Sequence, residues 1–81
     1  MQVILHAVQV TGMLSIVWDA TSVSLDAMAS NVDNFYVDGL LVLNGENRTI
    51  IYYDGTTRRA YVDPQWDINA LAANMPYTIE K

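Results

Sequence analysis

Hydrophobic and polar residues alternate along the first twenty positions in a pattern that is typical of β-strands. Residues 2–10 (QVILHAVQV) and 13–20 (MLSIVWDA) are rich in β-branched side chains and are separated by a Thr-Gly dipeptide. A turn dipeptide between two such runs predicts a β-hairpin with a two-residue loop. In this register Leu5 lies opposite Trp18, and we expect this pair to face the core.

Both faces of this hairpin would be apolar, whereas a hairpin with one solvent-facing side alternates with polar residues. The second face would carry His6, opposite Val17, among aliphatic side chains. A domain this small covers one sheet face with its own core, so helices of the chain or a neighbouring subunit are needed for the other. The candidate interface residues on this second face are Ile4, Val8, Val10, Met13 and Val17.

Three further apolar runs, separated by the turn sequences NGEN and DGTT, occupy residues 35–43, 48–53 and 58–63. They predict a three-strand antiparallel meander. Two lengths of the first loop are compatible with the sequence: a four-residue loop opposes Leu43 with Arg48, and a two-residue Asn-Gly turn opposes Leu41 with Arg48. Apolar matching across the strands favours the longer loop, and it favours a four-residue second loop that pairs Ile51 with Ala60.

Two other segments have the spacing of short helices. Within residues 24–32, apolar residues recur at i, i+3, i+4 and i+7 after a cap at Ser24, but an alternating pattern in the same segment suits a strand equally well. Asp63-Pro64 is a typical helix start, and apolar residues again follow at helical spacing. We therefore predict one or two short helices, with a short terminal strand or tail after Pro76.

These elements make a single domain over residues 1–81, because a chain of 81 residues has no room for a second core. The predicted fold class is α+β and mainly β: an N-terminal β-hairpin, a three-strand antiparallel meander and one or two short helices. No internal repeat, linker or low-complexity tract interrupts the sequence, so we expect order along nearly the whole chain.

The composition favours a subunit over a free monomer. Hydrophobic residues make up 52% of the chain, charged residues make up 16%, and the one lysine is Lys81. A small soluble domain usually carries about 25–35% charged residues on its surface. The chain also has no cysteine, so no disulfide supports a domain whose own core is small. We expect oligomerisation or a larger partner to supply the missing stability.

The charge of the chain argues against nucleic acid and membranes as partners. Nine acidic and four basic residues give a net charge of −5, and binding to a phosphate backbone needs several basic side chains on one face. No apolar run approaches the roughly 20 residues of a membrane span. The first residues lack the basic region and cleavage site of a signal peptide. We therefore expect a protein made in the cytoplasm, with no nucleic-acid or membrane partner.

No catalytic constellation can be recognised in the sequence. His6 is the only histidine, and no cysteine or acidic residue stands at metal-ligand spacing from it. The aspartates mostly precede glycine, proline or a helix start, where aspartate caps turns. The four glycines are isolated, so there is no phosphate-binding loop. We expect a non-enzyme with no cofactor and no metal site.

The segment 50–64 (IIYYDGTTRRAYVDP) is the strongest candidate for a contact surface. Arg58 and Arg59 are adjacent in a predicted strand and point to opposite faces, so they cannot clamp one anion together. Tyrosine and arginine are frequent at the energetic centres of protein interfaces. Tyr53, Arg58 and Tyr61 are therefore candidate contact residues, and a polar edge hairpin without a partner is the simpler alternative.

The leading functional hypothesis is a small structural or assembly protein that binds copies of itself, a larger structural protein, or both. Its strands lack the lysine and proline residues that commonly protect sheet edges, and an unprotected edge suits strand addition by a partner. Compact, cysteine-free, non-catalytic chains are familiar as bacteriophage virion components such as decoration, neck or tail parts, so we expect a virion location. The alternative hypothesis is a small acidic inhibitor or adaptor that binds one host protein.

Overall fold

A computed structural model of the protein describes the backbone of residues 8–81 and the side chains from residue 10 onward. This part of the chain forms seven β-strands and one short 3₁₀ turn. The strands are β1 (Val8–Met13), β2 (Ile16–Asp19), β3 (Ser22–Ser24), β4 (Leu40–Leu43), β5 (Glu46–Asp54), β6 (Arg59–Asp63) and β7 (Pro76–Glu80), and the 3₁₀ turn is Ile68–Ala70.

The seven strands form one sheet in the order β1-β7-β4-β5-β6-β3-β2, and all neighbours are antiparallel. The two end strands, β1 and β2, are consecutive in the chain and are joined by Leu14 and Ser15. The amide of Leu14 donates to the carbonyl of Met75, just before β7, whereas the amide of Ser15 donates to Ser24 in β3. The sheet therefore curls, and the bend at Leu14 and Ser15 connects its two end strands without pairing them.

The inner side of the curled sheet holds the core. Inward-facing residues alternate along the strands, as period-2 geometry requires, and the turns between β3 and β4 add further apolar side chains. The buried apolar residues are Leu14, Val23, Leu25, Ala29, Tyr36, Leu41, Leu43, Ile50, Tyr53, Ala60, Val62, Trp66, Tyr77 and Ile79. The outer side of the sheet is left for other contacts.

The predicted N-terminal hairpin is wrong. Thr11 and Gly12 lie inside β1 rather than in a turn, and Gly12 pairs with Tyr77 of β7. Glycine fits a close approach here, since a Cβ atom would clash with the carboxylate of Asp26 and would lie 2.9 Å from the ring of Tyr77. The second half of the supposed hairpin forms β2, which pairs with β3 instead.

The core position predicted for Trp18 is also wrong, because its side chain lies on the outer face and is 46% exposed. Its predicted partner, Leu5, lies outside the described residues. So does His6, which was predicted opposite Val17. In the structure Val17 pairs with Val23 of β3.

The three-strand meander does not stand as a separate unit. β4, β5 and β6 are neighbours, but they are the middle of the larger sheet, flanked by β7 and β3. The first loop is the two-residue alternative: Asn44 and Gly45, at φ of 50° and 80°, connect Leu43 to Glu46. An Asn-Gly pair accepts these positive φ values readily, and this preference outweighs the apolar matching that favoured the longer loop.

The helix predicted within residues 24–32 does not form, and the segment between β3 and β4 consists of turns. Leu25 and Ala29 are buried here, whereas Met28 is 88% exposed. The turns bury Leu25 and Ala29, two of the apolar residues that the predicted helix would also bury. The spacing of apolar residues alone therefore could not distinguish a helix from turns in this segment.

The helix predicted after Asp63-Pro64 is wrong as well. The segment contains only the three-residue 3₁₀ turn, which Asp67 caps by accepting from the amide of Asn69 at 3.0 Å. Strand β7 follows, so the terminal strand predicted as one of two alternatives is present. The fold is therefore all β rather than α+β. Residues 8–81 contain no helix that is long and apolar enough to cross a membrane.

Candidate protein-binding face

β5 contains a bulge that turns two consecutive side chains outward. Ile50 and Tyr52 pair with residues of β6 that directly follow one another, so Ile51 is the extra residue. Ile50 and Tyr53 are buried, whereas Ile51 and Tyr52 are exposed. A bulge has this effect because two residues of one strand oppose a single residue of the next. The predicted pairing of Ile51 with Ala60 is wrong for a different reason: the four-residue turn is 55–58 rather than 54–57, so Asp54 pairs with Arg59 and Tyr53 pairs with Ala60.

Aromatic and cationic side chains stack across the outer face of the sheet from β2 to β5. The guanidinium carbon of Arg59 lies 4.6 Å from the ring centre of Trp18 and 4.8 Å from that of Tyr61. The ring of Tyr61 lies 5.3 Å from the ring of Tyr52 on the next strand. We call these four side chains, Trp18, Arg59, Tyr61 and Tyr52, the aromatic ladder.

Two serines of β3 make room for the ladder. Ser22 and Ser24 belong to the strand between Trp18 on β2 and Arg59 on β6, and both are buried. Trp18 Nε1 donates to Ser24 Oγ at 2.8 Å, and Arg59 Nε donates to Ser22 Oγ at 2.9 Å. The hydroxyl of Ser24 donates in turn to the carbonyl of Thr57 at 2.9 Å. Trp18 and Arg59 are therefore held in place within the free protein.

Asp19 fixes the cationic part of the ladder. Its Oδ2 lies 3.3 Å from Arg59 Nη2. Its Oδ1 accepts hydrogen bonds from the amide and hydroxyl of Thr21 and from the hydroxyl of Ser22. These bonds, that of the Thr21 amide first, hold the pKa of Asp19 below its usual range, and the charge of Arg59 adds to the effect. Asp19 is thus ionised at neutral pH and keeps Arg59 oriented.

The ladder lies beside other exposed apolar side chains. Ile16 on the β2 side and Ile51 on the β5 side are 44% and 56% exposed. Residues 8–81 form no pocket, and no group of three acidic or histidine side chains in this part of the chain is arranged to hold a metal ion. Because small ligands usually bind in concave sites, the shape suits another protein surface.

The interface candidates predicted on the supposed hairpin lie in several environments. Ile4 and the side chain of Val8 are outside the described residues. Val10 and Val17 are partly buried and pack against the core. Met13 is exposed at the end of β1.

The three candidate contact residues from segment 50–64 also lie in different environments. Tyr61 belongs to the aromatic ladder. Tyr53 is fully buried, its hydroxyl donates to the carbonyl of Ser30, and burial raises its pKa to about 12. Arg58 is half-buried, and its Nε donates to the carbonyl of Ala29 at 3.0 Å. Tyr53 and Arg58 therefore tie the turns after β3 to the rest of the fold.

Trp18, Arg59 and Tyr52 complete the ladder but were not among the predicted contacts. One signal for them is present in the sequence. The Ser-Val-Ser segment of β3 places small hydroxyl side chains at two alternate positions, so that larger neighbours on β2 and β6 can meet above it. The Ser-Val-Ser pattern can be interpreted only when it is known that β3 lies between β2 and β6.

Comparisons of the chain with protein-family models, with curated proteins and with solved structures find no match. The functional argument rests on the geometry of the outer face.

Proposed function

We propose that this chain is a small non-enzymatic structural protein, a subunit of a larger assembly, which binds a larger structural protein through the aromatic ladder and the flanking Ile16 and Ile51. The observation that carries the proposal is the ladder itself, a row of large side chains stacked on an exposed face. Tryptophan, tyrosine and arginine are the residue types that most often dominate binding energy at protein interfaces.

The rigidity of the ladder also supports a binding role. Association costs about 0.5–1.5 kcal/mol for each flexible side chain that it immobilises. Hydrogen bonds to Ser22 and Ser24 already immobilise Arg59 and Trp18 in the free protein. Less conformational entropy is therefore lost when a partner covers them.

The setting that we propose is a bacteriophage virion, in which the chain would be a decoration, neck or tail component. The low fraction of charged residues and the lack of cysteine suit a protein that is covered by neighbours and needs no disulfides. The exposed apolar face formed by the ladder, Ile16 and Ile51 also suits packing against a larger structural protein.

Retention of partner proteins from the native source by immobilised variants tests this proposal. Tyr52→Ala, at the β5 end of the ladder, should release the structural protein that the wild type retains, with an unchanged circular dichroism spectrum. Phe35→Ala is the matched control, because it removes another exposed aromatic ring, on the turns over the core.

The three outcomes separate the hypotheses. If the Tyr52→Ala variant no longer retains the structural protein and the Phe35→Ala variant still does, the ladder is supported as the binding face. Equal retention by both variants contradicts it. A single soluble host protein, bound one to one by the wild type, would support the inhibitor or adaptor alternative instead of an assembly subunit.

A further inference from the structure

β2 is an end strand of the sheet that residues 8–81 form, and in this part of the chain it hydrogen-bonds to β3 on one side only. Its sequence, Ile-Val-Trp-Asp, contains neither lysine nor proline, two of the residue types that natural proteins place on free edges to prevent pairing. The strand is short, and its register with β3 shifts between Val17 and Asp19. Ile16 and Trp18 are both about half exposed beside this edge.

At the opposite end strand, β1, one outward backbone donor has a side-chain partner. The amide of Met13 donates to Asp26 Oδ2 at 3.1 Å, and the same carboxylate lies against Gly12. Among the described residues, no side chain makes a corresponding hydrogen bond to the outward backbone groups of Val17 in β2.

The backbone of β2 directs its free hydrogen-bonding groups outward at Val17. The amide of Leu25 donates to the carbonyl of Arg58, on the β6 side. Backbone groups alternate in direction along a strand, so those of Ser24 face β2 and those of Val23 face β6. Val17 lies directly opposite Val23. Since opposed residues of an antiparallel pair either both face each other or both face away, the N–H and C=O of Val17 face away from β3.

We propose that β2 pairs with β2 of a second copy of this chain, antiparallel and about a two-fold axis beside Val17. In this register the two Val17 residues exchange both backbone hydrogen bonds. Ile16 of each copy then lies opposite Trp18 of the other copy on the outer face. Pairs of aliphatic and aromatic side chains in this position stabilise neighbouring strands.

The charge pattern of β2 fits a second copy. Its one charged residue, Asp19, stands at the end of the strand. In the two-fold register the two Asp19 residues are four positions apart along the strands, or about 14 Å at 3.4 Å per residue. This distance exceeds the Debye length of about 8 Å at physiological salt. No like charges are opposed, and the symmetric contact closes as a dimer.

The contact is small, since it extends only from Ser15 to Asp19, so the isolated dimer should be weak compared with complexes that bury a standard interface.

The functional consequence of the dimer rests on the proposed function. Ile16 and Trp18 would join the aromatic ladders of the two copies into one continuous outer face. A subunit with two linked faces binds a repeating structural surface with greater avidity than one face alone.

Sedimentation equilibrium from low to high micromolar concentration tests the dimer. The wild type should show a monomer–dimer equilibrium. Val17→Pro removes the outward N–H without removing a bond to β3, a replacement that edge strands tolerate. It should weaken the dimer by about tenfold or more, because each lost backbone bond weakens association by roughly two- to tenfold.

A second pair of variants decides the matter if Val17→Pro does not fold. Ile16→Glu removes the contact with Trp18 of the second copy and brings a carboxylate toward its Asp19, so it should abolish the dimer. Ile51→Glu is the matched control: it makes the same change on the same outer face, with β6 and β3 lying between β5 and β2. It should leave the dimer intact.

Amide hydrogen exchange gives a readout at the proposed contact. The amide of Val17 should exchange more slowly as protein concentration rises, while that of Ser24, which faces β2 within the monomer, should not respond. A wild type that stays monomeric at high micromolar concentration overturns the proposal, and so does a folded Ile16→Glu variant that dimerises normally. Tyr52→Ala leaves the edge unchanged, so failure of the dimer and failure of the ladder as a binding face are separate results.

Discussion

The guanidinium of Arg59 lies 4.6 Å from the ring centre of Trp18, although β3 runs between their two strands. The contact is possible because β3 contributes only the short side chains of Ser22 and Ser24 at this level. The same serines bond to Arg59 and Trp18. The two serines in this buried strand therefore let Trp18 and Arg59 meet and also hold both side chains in place.

Replacement of the two tryptophans should separate the outer face from the core. Trp18→Ala should lower the free energy of unfolding by about 1–2 kcal/mol, because the half-exposed side chain loses its contact with Arg59 and its hydrogen bond to Ser24. Trp66→Ala should lower it by about 3–5 kcal/mol, because Trp66 is buried. Urea denaturation monitored by circular dichroism measures both values. Equal losses for the two variants would show that Trp18 also supports the core.

Arg59→Ala should loosen the ladder and lower the free energy of unfolding by about 1–2 kcal/mol, because it removes the contact with Trp18 and the hydrogen bond to buried Ser22. The ion pair with Asp19, whose side chain is half exposed, adds about 0–1 kcal/mol at most. Trp18 should become more mobile, which lowers its fluorescence anisotropy in a Trp66→Phe background where it is the only tryptophan. Arg59→Lys should not restore the anisotropy, because an ammonium group cannot stack on the ring as a planar guanidinium does. Full rescue by lysine would contradict this role for the guanidinium.

Gly12→Ala should destabilise the β1 edge. The new methyl group would clash with the carboxylate of Asp26 and would lie 2.9 Å from the ring of Tyr77, and overpacking of this kind costs about 1–3 kcal/mol. Because the Asp26 side chain causes the shorter contact, adding Asp26→Ala should recover part of the loss. A double-mutant cycle in urea measures this coupling, and strictly additive effects would exclude the contact.

Stability should fall at high pH through the buried tyrosines. Burial raises the pKa of Tyr53 from 10.0 to about 12, and it also raises the pKa of Tyr77. The folded protein holds these protons more tightly than the unfolded chain, so the stabilisation is complete below about pH 10 and is lost as the pH approaches about 12. The free energy of unfolding should decline across this range, less steeply for Tyr53→Phe. Identical slopes for the variant and the wild type would rule out a contribution from Tyr53.

The sequence predicts β4, β5 and β6 as neighbouring strands, but it does not predict β3 or the partners of β1, β2 and β7. Alternating apolar residues and the Asn-Gly and Asp-Gly sequences identify the segments of β4, β5 and β6. The partner of β1 is β7, more than sixty positions away, and no local pattern encodes that pairing. The Thr-Gly dipeptide resembles a turn, but Gly12 serves a close approach to Asp26.

The site is only partly predictable for a related reason. Strict alternation from Ile50 would place Tyr53 outside and Tyr52 inside. The bulge at Ile51 exchanges the two, so Tyr52 joins the ladder and Tyr53 enters the core. Tyr61 follows regular alternation on β6 and lies on the outer face as the sequence suggests. Trp18 could not be placed, because its position depends on the pairing of β2 with β3.

Hydroxyl-radical footprinting of the ladder tests the central claim, that this face is covered in an assembly. Oxidation of Trp18, Tyr52 and Met28 is measured in the isolated protein and in the complex that it forms in its native source. We predict that Trp18 and Tyr52 react in the isolated protein and are protected in the complex, while Met28, which is 88% exposed on the other side of the fold's core, reacts in both. Equal oxidation of Trp18 and Tyr52 in the two samples would contradict the account.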